Sequence, residues 1–97
     1  MFLHIGNGVT VRKRDIIGIF DLDTASMSSD TKRFLREAEK KELLRDAAGG
    51  ELPRSFVLVG ERRSIEEGDV GLGVRLSLIS TAGLRLRLLR ASEDSEE

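Results

Sequence analysis

The sequence predicts an α+β domain, in which a small antiparallel sheet packs with one or two helices. Short runs of branched and aromatic residues separated by glycine-rich turns indicate the strands. A charged segment with apolar residues three and four positions apart indicates at least one helix. The chain has 97 residues, which is the size of a single compact domain with one core.

The start of the chain predicts a β-hairpin followed by a buried strand. Residues 2–5 and 9–11 favour strands and flank the turn Gly6-Asn7-Gly8. Asn-Gly suits the left-handed backbone angles of tight hairpin turns. Residues 12–15 are mostly basic and are expected at a turn or strand end. The branched run at residues 16–20 then indicates a buried strand.

A helix is predicted at residues 31–41, because its apolar side chains share one face and charged residues occupy the rest. The apolar residues are Phe34, Leu35 and Ala38. A short polar side chain can cap the first turn by accepting a backbone hydrogen bond. The candidate caps are Ser28, Ser29 and Asp30. The apolar pair at residues 43–44 could extend the helix or form a short strand.

The second half of the chain begins with a turn at residues 48–53, where two glycines precede Pro53. Residues 55–59 favour a buried strand. Acids and glycines at residues 61–73 predict an exposed loop. The alternation of apolar and polar residues at 74–78 then predicts a half-buried strand.

The last segments have different characters. Residues 81–90 fit a helix and a strand equally well, because their leucines recur at both spacings. Residues 91–97 are polar and acidic, and this predicts a disordered tail. The expected boundaries are therefore a domain at residues 1–90 and a tail at 91–97.

Several classes of function lack the residues that they require. The chain has no cysteine and one histidine, His4, without a partner in a recognisable spacing. The glycine-rich turn does not match a phosphate-binding loop. We therefore expect no catalytic residue, no metal site, no cofactor and no small-molecule substrate. No apolar run is long enough to span a membrane, so we expect a cytoplasmic protein without a membrane partner.

The basic residues are unevenly distributed. The chain has 16 Lys and Arg against 17 Asp and Glu, but four of the acids lie in the last seven residues. Residues 1–90 thus carry 16 bases and 13 acids, a net charge of +3. Arg12, Lys13 and Arg14 form a local cluster that could hold phosphates or could simply be a solvated strand end. The pair at residues 62–63 is flanked by glutamates.

Four segments together resemble one known family. They are His4-Ile5-Gly6, the stretch of residues 14–21 with the sequence RDIIGIFD, the helix around residues 31–38, and the strand at residues 54–59. Their order and spacing resemble the RemA/RemB family of small bacterial extracellular-matrix regulators along most of residues 1–90. The stretch at residues 14–21 is most similar to the RemB branch.

The resemblance implies a compact α+β subunit that assembles into a homo-oligomer, such as a ring. For the RemA branch it implies a DNA-binding activator of biofilm-matrix genes that presents arginines to the duplex backbone. The expected DNA contacts are Arg12, Lys13, Arg14 and Arg54. One RemA-type arginine falls near Arg14, or at Asp15 if the alignment shifts by one residue.

The chain departs from the RemA type at one motif. The family's Gly-Arg-Arg motif before the central strand is replaced here by Gly50-Glu51-Leu52-Pro53-Arg54. The resemblance implies a regulatory protein that contacts duplex DNA through phosphates. The alternative is a structural or protein-interaction module that keeps the same fold without binding DNA.

Overall fold

The computed structural model describes residues 1–22, 28–61 and 71–94, with the backbone alone for residues 91–94. Its strands are β1 (Phe2–Gly6), β2 (Val9–Arg12), β3 (Ile16–Asp21), β4 (Leu44–Asp46), β5 (Ser55–Gly60) and β6 (Leu72–Ser77). Its helices are α1 (Ser29–Lys40) and α2 (Thr81–Asp94), and a 3-10 turn spans Lys13–Asp15. The expected α+β class is confirmed.

The strands form two sheets. β1 and β2 make the predicted antiparallel hairpin, and the other strands form a sheet in the order β3-β5-β6-β4. β5 pairs antiparallel with β3 and β6, whereas β4 and β6 are parallel. The four-stranded sheet is therefore mixed, not wholly antiparallel as expected. The reason is that β4 runs opposite to β5, and β6 inserts between these two strands.

The four-stranded sheet is covered on both faces. α1 packs on one face, where Phe56 and Val74 meet Ala38 of the helix and Leu43. The hairpin and α2 cover the other face, where Ile5, Val57 and Leu84 are almost fully buried. Burying apolar surface on both faces gives a small chain two adjoining cores. The sheet thus forms the middle layer of the domain.

The hairpin turn is fixed against the four-stranded sheet. Asn7 has a φ of 48°, which is the left-handed conformation that its Asn-Gly sequence favours. Its side-chain amide donates a 2.6 Å hydrogen bond to the backbone oxygen of Ala47. The turn that follows β4 therefore lies directly beside the hairpin turn.

The structure decides the ends of α1. Of the candidate caps, Ser28 is the one used, since its hydroxyl oxygen accepts hydrogen bonds from the amides of Asp30 at 3.2 Å and Thr31 at 3.4 Å. After α1, Glu42 has a φ of 59°, and the Leu43 amide bonds to the Ala38 oxygen. Leu43 is buried and Leu44 begins β4, so the apolar pair does not extend the helix.

Residues 81–90 are helical, which settles the choice between helix and strand. Leu84 is fully buried and Leu88 packs against the same core, while Leu86 and Leu89 are exposed. The backbone of α2 continues to Asp94, past the expected boundary at residue 90. Residues 95–97 lie outside the described residues, as does most of the predicted loop, including the basic pair at 62–63.

Candidate functional site

The basic cluster lies at one end of the hairpin. Arg12 ends β2 and pairs with Phe2, and the 3-10 turn follows at once. The amide of Lys13 donates a 3.0 Å hydrogen bond to the oxygen of Met1, which fixes this turn beside the first residue of the chain. The predicted turn at the basic cluster is thus confirmed, and it places the cluster immediately before β3.

A charged cleft of about 750 Å³ opens beside this turn. Its walls come from β2, the 3-10 turn, the end of β5 and the middle of β6. The lining residues are Thr10, Val11, Arg12, Arg14, Asp15, Val59, Gly60, Glu61 and Arg75. We call this feature the basic cleft, because its lining has three arginines and two acids.

Arg75 forms the inner wall of the basic cleft, and its side chain is 12% exposed. Its Nη2 atom donates a 3.0 Å hydrogen bond to Oε2 of Glu61 within an ion pair. Its Nη1 atom donates to the backbone oxygens of Leu43 at 3.2 Å and Val74 at 3.1 Å. Hydrogen bonds with charged partners are strong when partly desolvated, so this arginine stabilises the cleft wall.

Gly73 leaves space for this ion pair. A Cβ atom at Gly73 would lie 3.1 Å from Nη1 of Arg75 and 3.2 Å from Oε2 of Glu61. A side chain at position 73 would therefore require both charged groups to shift by a few tenths of an ångström. The absence of a side chain at Gly73 lets the guanidinium and the carboxylate meet.

Arg12 and Arg14 occupy the rim of the basic cleft and are both exposed. Within the described parts of the chain, neither side chain makes a hydrogen bond or an ion pair. Arg75 and Glu61 neutralise one another, so the remaining charges of the lining are Arg12, Arg14 and Asp15, a net charge of +1. The rim can therefore hold an anion without breaking the ion pair of the wall.

Two predicted contact residues differ from this pair. Lys13 lies between Arg12 and Arg14 in the chain but is half-buried and does not line the cleft. Arg54 is exposed and lies just before β5, where its amide donates to the oxygen of Ser77 at 2.8 Å. The cleft is at the other end of β5, about 20 Å away at the usual rise per strand residue. The structure therefore brings Arg12 and Arg14 together but leaves Arg54 apart.

The segment that replaces the Gly-Arg-Arg motif lies at the Arg54 end of the sheet. Asp46 holds the preceding turn, because its carboxylate oxygens accept hydrogen bonds from the amides of Ala48 at 2.8 Å and Gly50 at 3.2 Å. Glu51 and Leu52 follow on the surface, and Leu52 is 88% exposed. This end of the sheet presents an acid and an apolar side chain beside Arg54.

Sequence reasoning missed Arg75 and Glu61. The alternation in residues 74–78 predicts that Arg75 faces solvent, and the composition of residues 61–73 predicts that Glu61 lies in an exposed loop. The ion pair joins residues 14 positions apart, and its other partner, Leu43, lies on a third segment. The one local signal is Gly73, a glycine inside a strand, which often marks a close approach of other groups.

The exposed arginine pair thus lies on the rim of a charged cleft in a small α+β domain. The RemA-like family, described as extracellular matrix regulatory protein A-like, matches residues 2–65. The match covers more than half of the sequence, and the chain belongs to the RemA-like family. This is a regulatory family, not an enzyme family. Arg75 and α2 lie outside the matched residues, so one wall of the basic cleft comes from the unmatched part.

No curated protein matches the sequence. Neither of the two helices in the described residues is long and apolar enough to cross a membrane.

Proposed function

We propose that the protein regulates extracellular-matrix genes by binding duplex DNA through phosphate contacts from the rim of the basic cleft. The observation that carries this proposal is the exposed pair Arg12 and Arg14, whose side chains have no partner within the described residues. A guanidinium group can donate two parallel hydrogen bonds to one phosphate. Such contacts position a protein on DNA without reading its sequence. Lys13 adds positive charge behind the rim.

Arg54 supplies a second contact in this proposal. It lies about 20 Å from the cleft along β5, so the two regions would meet different phosphates. The stretch at residues 14–21 supports a place near the RemB branch, and a cytoplasmic regulator of transcription in biofilm formation is the corresponding cellular function. Family membership supports the regulatory part of the proposal.

A salt titration with a duplex of random sequence tests the DNA contacts. Each phosphate contact changes the slope of log affinity against log salt by about 0.9. Arg12→Ala/Arg14→Ala should therefore lower the slope by about 1.8 for each subunit engaged, and Arg54→Ala by about 0.9. Both changes should weaken binding equally on unrelated sequences.

The matched control is Arg33→Ala/Arg36→Ala, which removes two exposed arginines from α1 and alters the net charge by the same amount. This control should leave the slope almost unchanged. Circular dichroism would confirm that each variant keeps its fold. The proposal is wrong if the folded wild type does not bind duplex at low salt, or if the cleft variant and the control give the same slope.

A second candidate is a protein-interaction module without DNA binding. It is favoured by the exposed Glu51 and Leu52 at the position of the family's arginine pair. A carboxylate there would repel phosphate, so this end of the sheet would not suit a contact with the DNA backbone. Absence of duplex binding at low salt, together with a defined oligomer, would favour this function.

A further inference from the structure

The interior of the basic cleft extends behind the two arginines of its rim. The proposed DNA contacts use only Arg12 and Arg14, which are exposed there. The cleft has a volume of about 750 Å³, within the range of about 300–1,000 Å³ that small-molecule sites have. The space behind the rim is therefore large enough for a small ligand.

The rim determines the charge of such a ligand. Arg12 and Arg14 line the cleft, and neither side chain has a partner in the described parts of the chain. Guanidinium groups donate paired hydrogen bonds to phosphate oxygens. The third arginine, Arg75, is already bound to Glu61. The two rim arginines therefore favour a ligand that carries a phosphate group.

The wall of the cleft also offers a hydrogen-bond acceptor. The Oε2 atom of Glu61 accepts the 3.0 Å hydrogen bond from Arg75, which holds this carboxylate in place. Its Oε1 atom has no protein partner among the described residues. A ligand made of phosphate alone would not use this acceptor, because it has no donor group to spare. Ribose hydroxyls are donors, and a carboxylate is their usual partner in dinucleotide sites.

The floor of the cleft is apolar. Val11 and Val59 contribute to its lining and are 6% and 3% exposed. Covering such side chains with the flat face of a nucleobase is favourable, because it removes apolar surface from water. Gly60 keeps this floor open. The nearest heavy atom to a Cβ at this glycine, outside its chain neighbours, would be the backbone oxygen of Asp15 at 4.0 Å.

We propose that the basic cleft binds a ribonucleotide. Arg12 and Arg14 bind its phosphate, and the free oxygen of Glu61 accepts a hydrogen bond from its 2′-hydroxyl group. The base lies on Val11 and Val59. A deoxynucleotide lacks the 2′-hydroxyl group and loses the contact with Glu61. The sequence predicted no small-molecule ligand, because these residues come from separate segments that only the fold brings together.

The first test measures affinities by isothermal titration calorimetry. The probes are the 5′-monophosphates of adenosine, guanosine, cytidine and uridine, their 2′-deoxy forms, and inorganic phosphate. At least one ribonucleotide should bind roughly tenfold more tightly than its deoxy form, because the deoxy form lacks a hydrogen bond to a carboxylate. It should also bind more tightly than inorganic phosphate. The proposal is overturned if no ribonucleotide binds at millimolar concentration, or if the deoxy form or inorganic phosphate binds as tightly.

The second test compares two acids of the lining. Glu61→Gln keeps the length of the side chain but weakens the acceptor, so the preference for ribose should fall from roughly tenfold to about threefold or less. Asp15→Asn removes the same charge beside Arg14 and should keep the full preference. A merely structural effect of Glu61→Gln would weaken both forms of the nucleotide equally. An unchanged preference in the folded Glu61→Gln variant overturns the proposal.

The third test fills the cleft without changing any charge. Gly60→Leu places a side chain in the open space above the floor, and it should weaken nucleotide binding by about tenfold or more, as overpacking does. The control is Ala82→Leu, at an exposed residue of α2, which should bind like the wild type. Circular dichroism would confirm both folds. Unchanged affinity of the folded Gly60→Leu variant overturns the proposal.

Competition with duplex DNA separates this inference from the proposed function. If the proposed function holds, the nucleotide and the duplex share Arg12 and Arg14, so the ribonucleotide that binds most tightly should displace duplex from the wild type. Gly60→Leu should still bind duplex but should resist this displacement. Simultaneous binding of nucleotide and duplex overturns the shared arginines of the proposal. Duplex binding without nucleotide binding overturns this inference alone, and nucleotide binding without duplex binding overturns the proposed function alone.

Discussion

Ser77 connects the four-stranded sheet to the hairpin, although 72 residues separate it from its partner. Its hydroxyl group donates a 2.8 Å hydrogen bond to the oxygen of Ile5 and accepts a 3.0 Å bond from the amide of Ile79. The residue is fully buried. The hydroxyl therefore satisfies a buried backbone oxygen and a partly buried backbone amide.

Ser77→Ala should therefore destabilise the domain. The change leaves the Ile5 oxygen and the Ile79 amide without this partner, which should lower the free energy of unfolding by about 1–3 kcal/mol. Urea unfolding measures the effect. Ser29→Ala, at an exposed residue of α1, should change the same quantity by less than about 0.5 kcal/mol. Equal stability of the two variants would show that the Ser77 contacts contribute little.

Individual residues also show how far the sequence predicts the site. The sequence predicts that Arg12 and Arg14 belong to one site, because charges close together in the chain remain close together in any fold. Arg75 and Glu61 were missed because their ion pair depends on the pairing of β5 with β6. The alternation around Ser77 predicted one solvated face, but a strand pattern does not reveal that a distant hairpin covers that face.

At the scale of elements, α1 was predicted well because its sequence has both a cap and one apolar face. α2 could not be distinguished from a strand, because alternating leucines and arginines fit both periods. Its packing decides the outcome, since the helix buries Leu84 and exposes Leu86. The parallel pairing of β4 could not be predicted either. β4 has only three residues, and its pairing with the distant β6 leaves no pattern in the local sequence.

The start of α1 provides a prediction about this element. Ser28→Ala removes the oxygen that accepts the amides of Asp30 and Thr31, and should reduce the free energy of unfolding by about 1 kcal/mol. Ser28→Asp keeps an acceptor at the cap and adds a favourable charge at the helix start, so it should retain wild-type stability. Thermal unfolding followed by circular dichroism compares them. Equal losses in both variants would contradict the assigned cap.

At the scale of the whole molecule, the charged residues are unevenly distributed along the chain. The basic cleft and Arg54 lie at opposite ends of β5, and the acids of the last seven residues balance the excess of bases in residues 1–90. The net charge is −1 for the chain and +3 without those residues. A polyanion approaching the protein therefore meets a field that the C-terminal acids weaken.

The last prediction concerns these acids. Neutralising Glu93, Asp94, Glu96 and Glu97 to their amides keeps the chain length and raises the net charge from −1 to +3. In the DNA-binding model, duplex affinity should increase several-fold at about 0.01 M salt, where the screening length is about 30 Å. The gain should shrink at about 0.15 M salt, where that length is about 8 Å. The unfolding midpoint should hardly change, because residues 91–97 are polar and acidic and offer little apolar surface to bury.

A matched variant distinguishes the C-terminal acids from acids in general. Glu37→Gln/Glu39→Gln removes two exposed charges from α1, and the corresponding pair Glu96→Gln/Glu97→Gln removes two from the C-terminus. Both double variants change the net charge by the same amount. A larger increase in duplex affinity for the C-terminal pair would therefore mean that those acids lie near the bound duplex. Equal gains would mean that only total charge matters. An unchanged affinity of the fourfold variant at low salt would exclude an inhibitory role for the C-terminal acids, since electrostatic repulsion is strongest there.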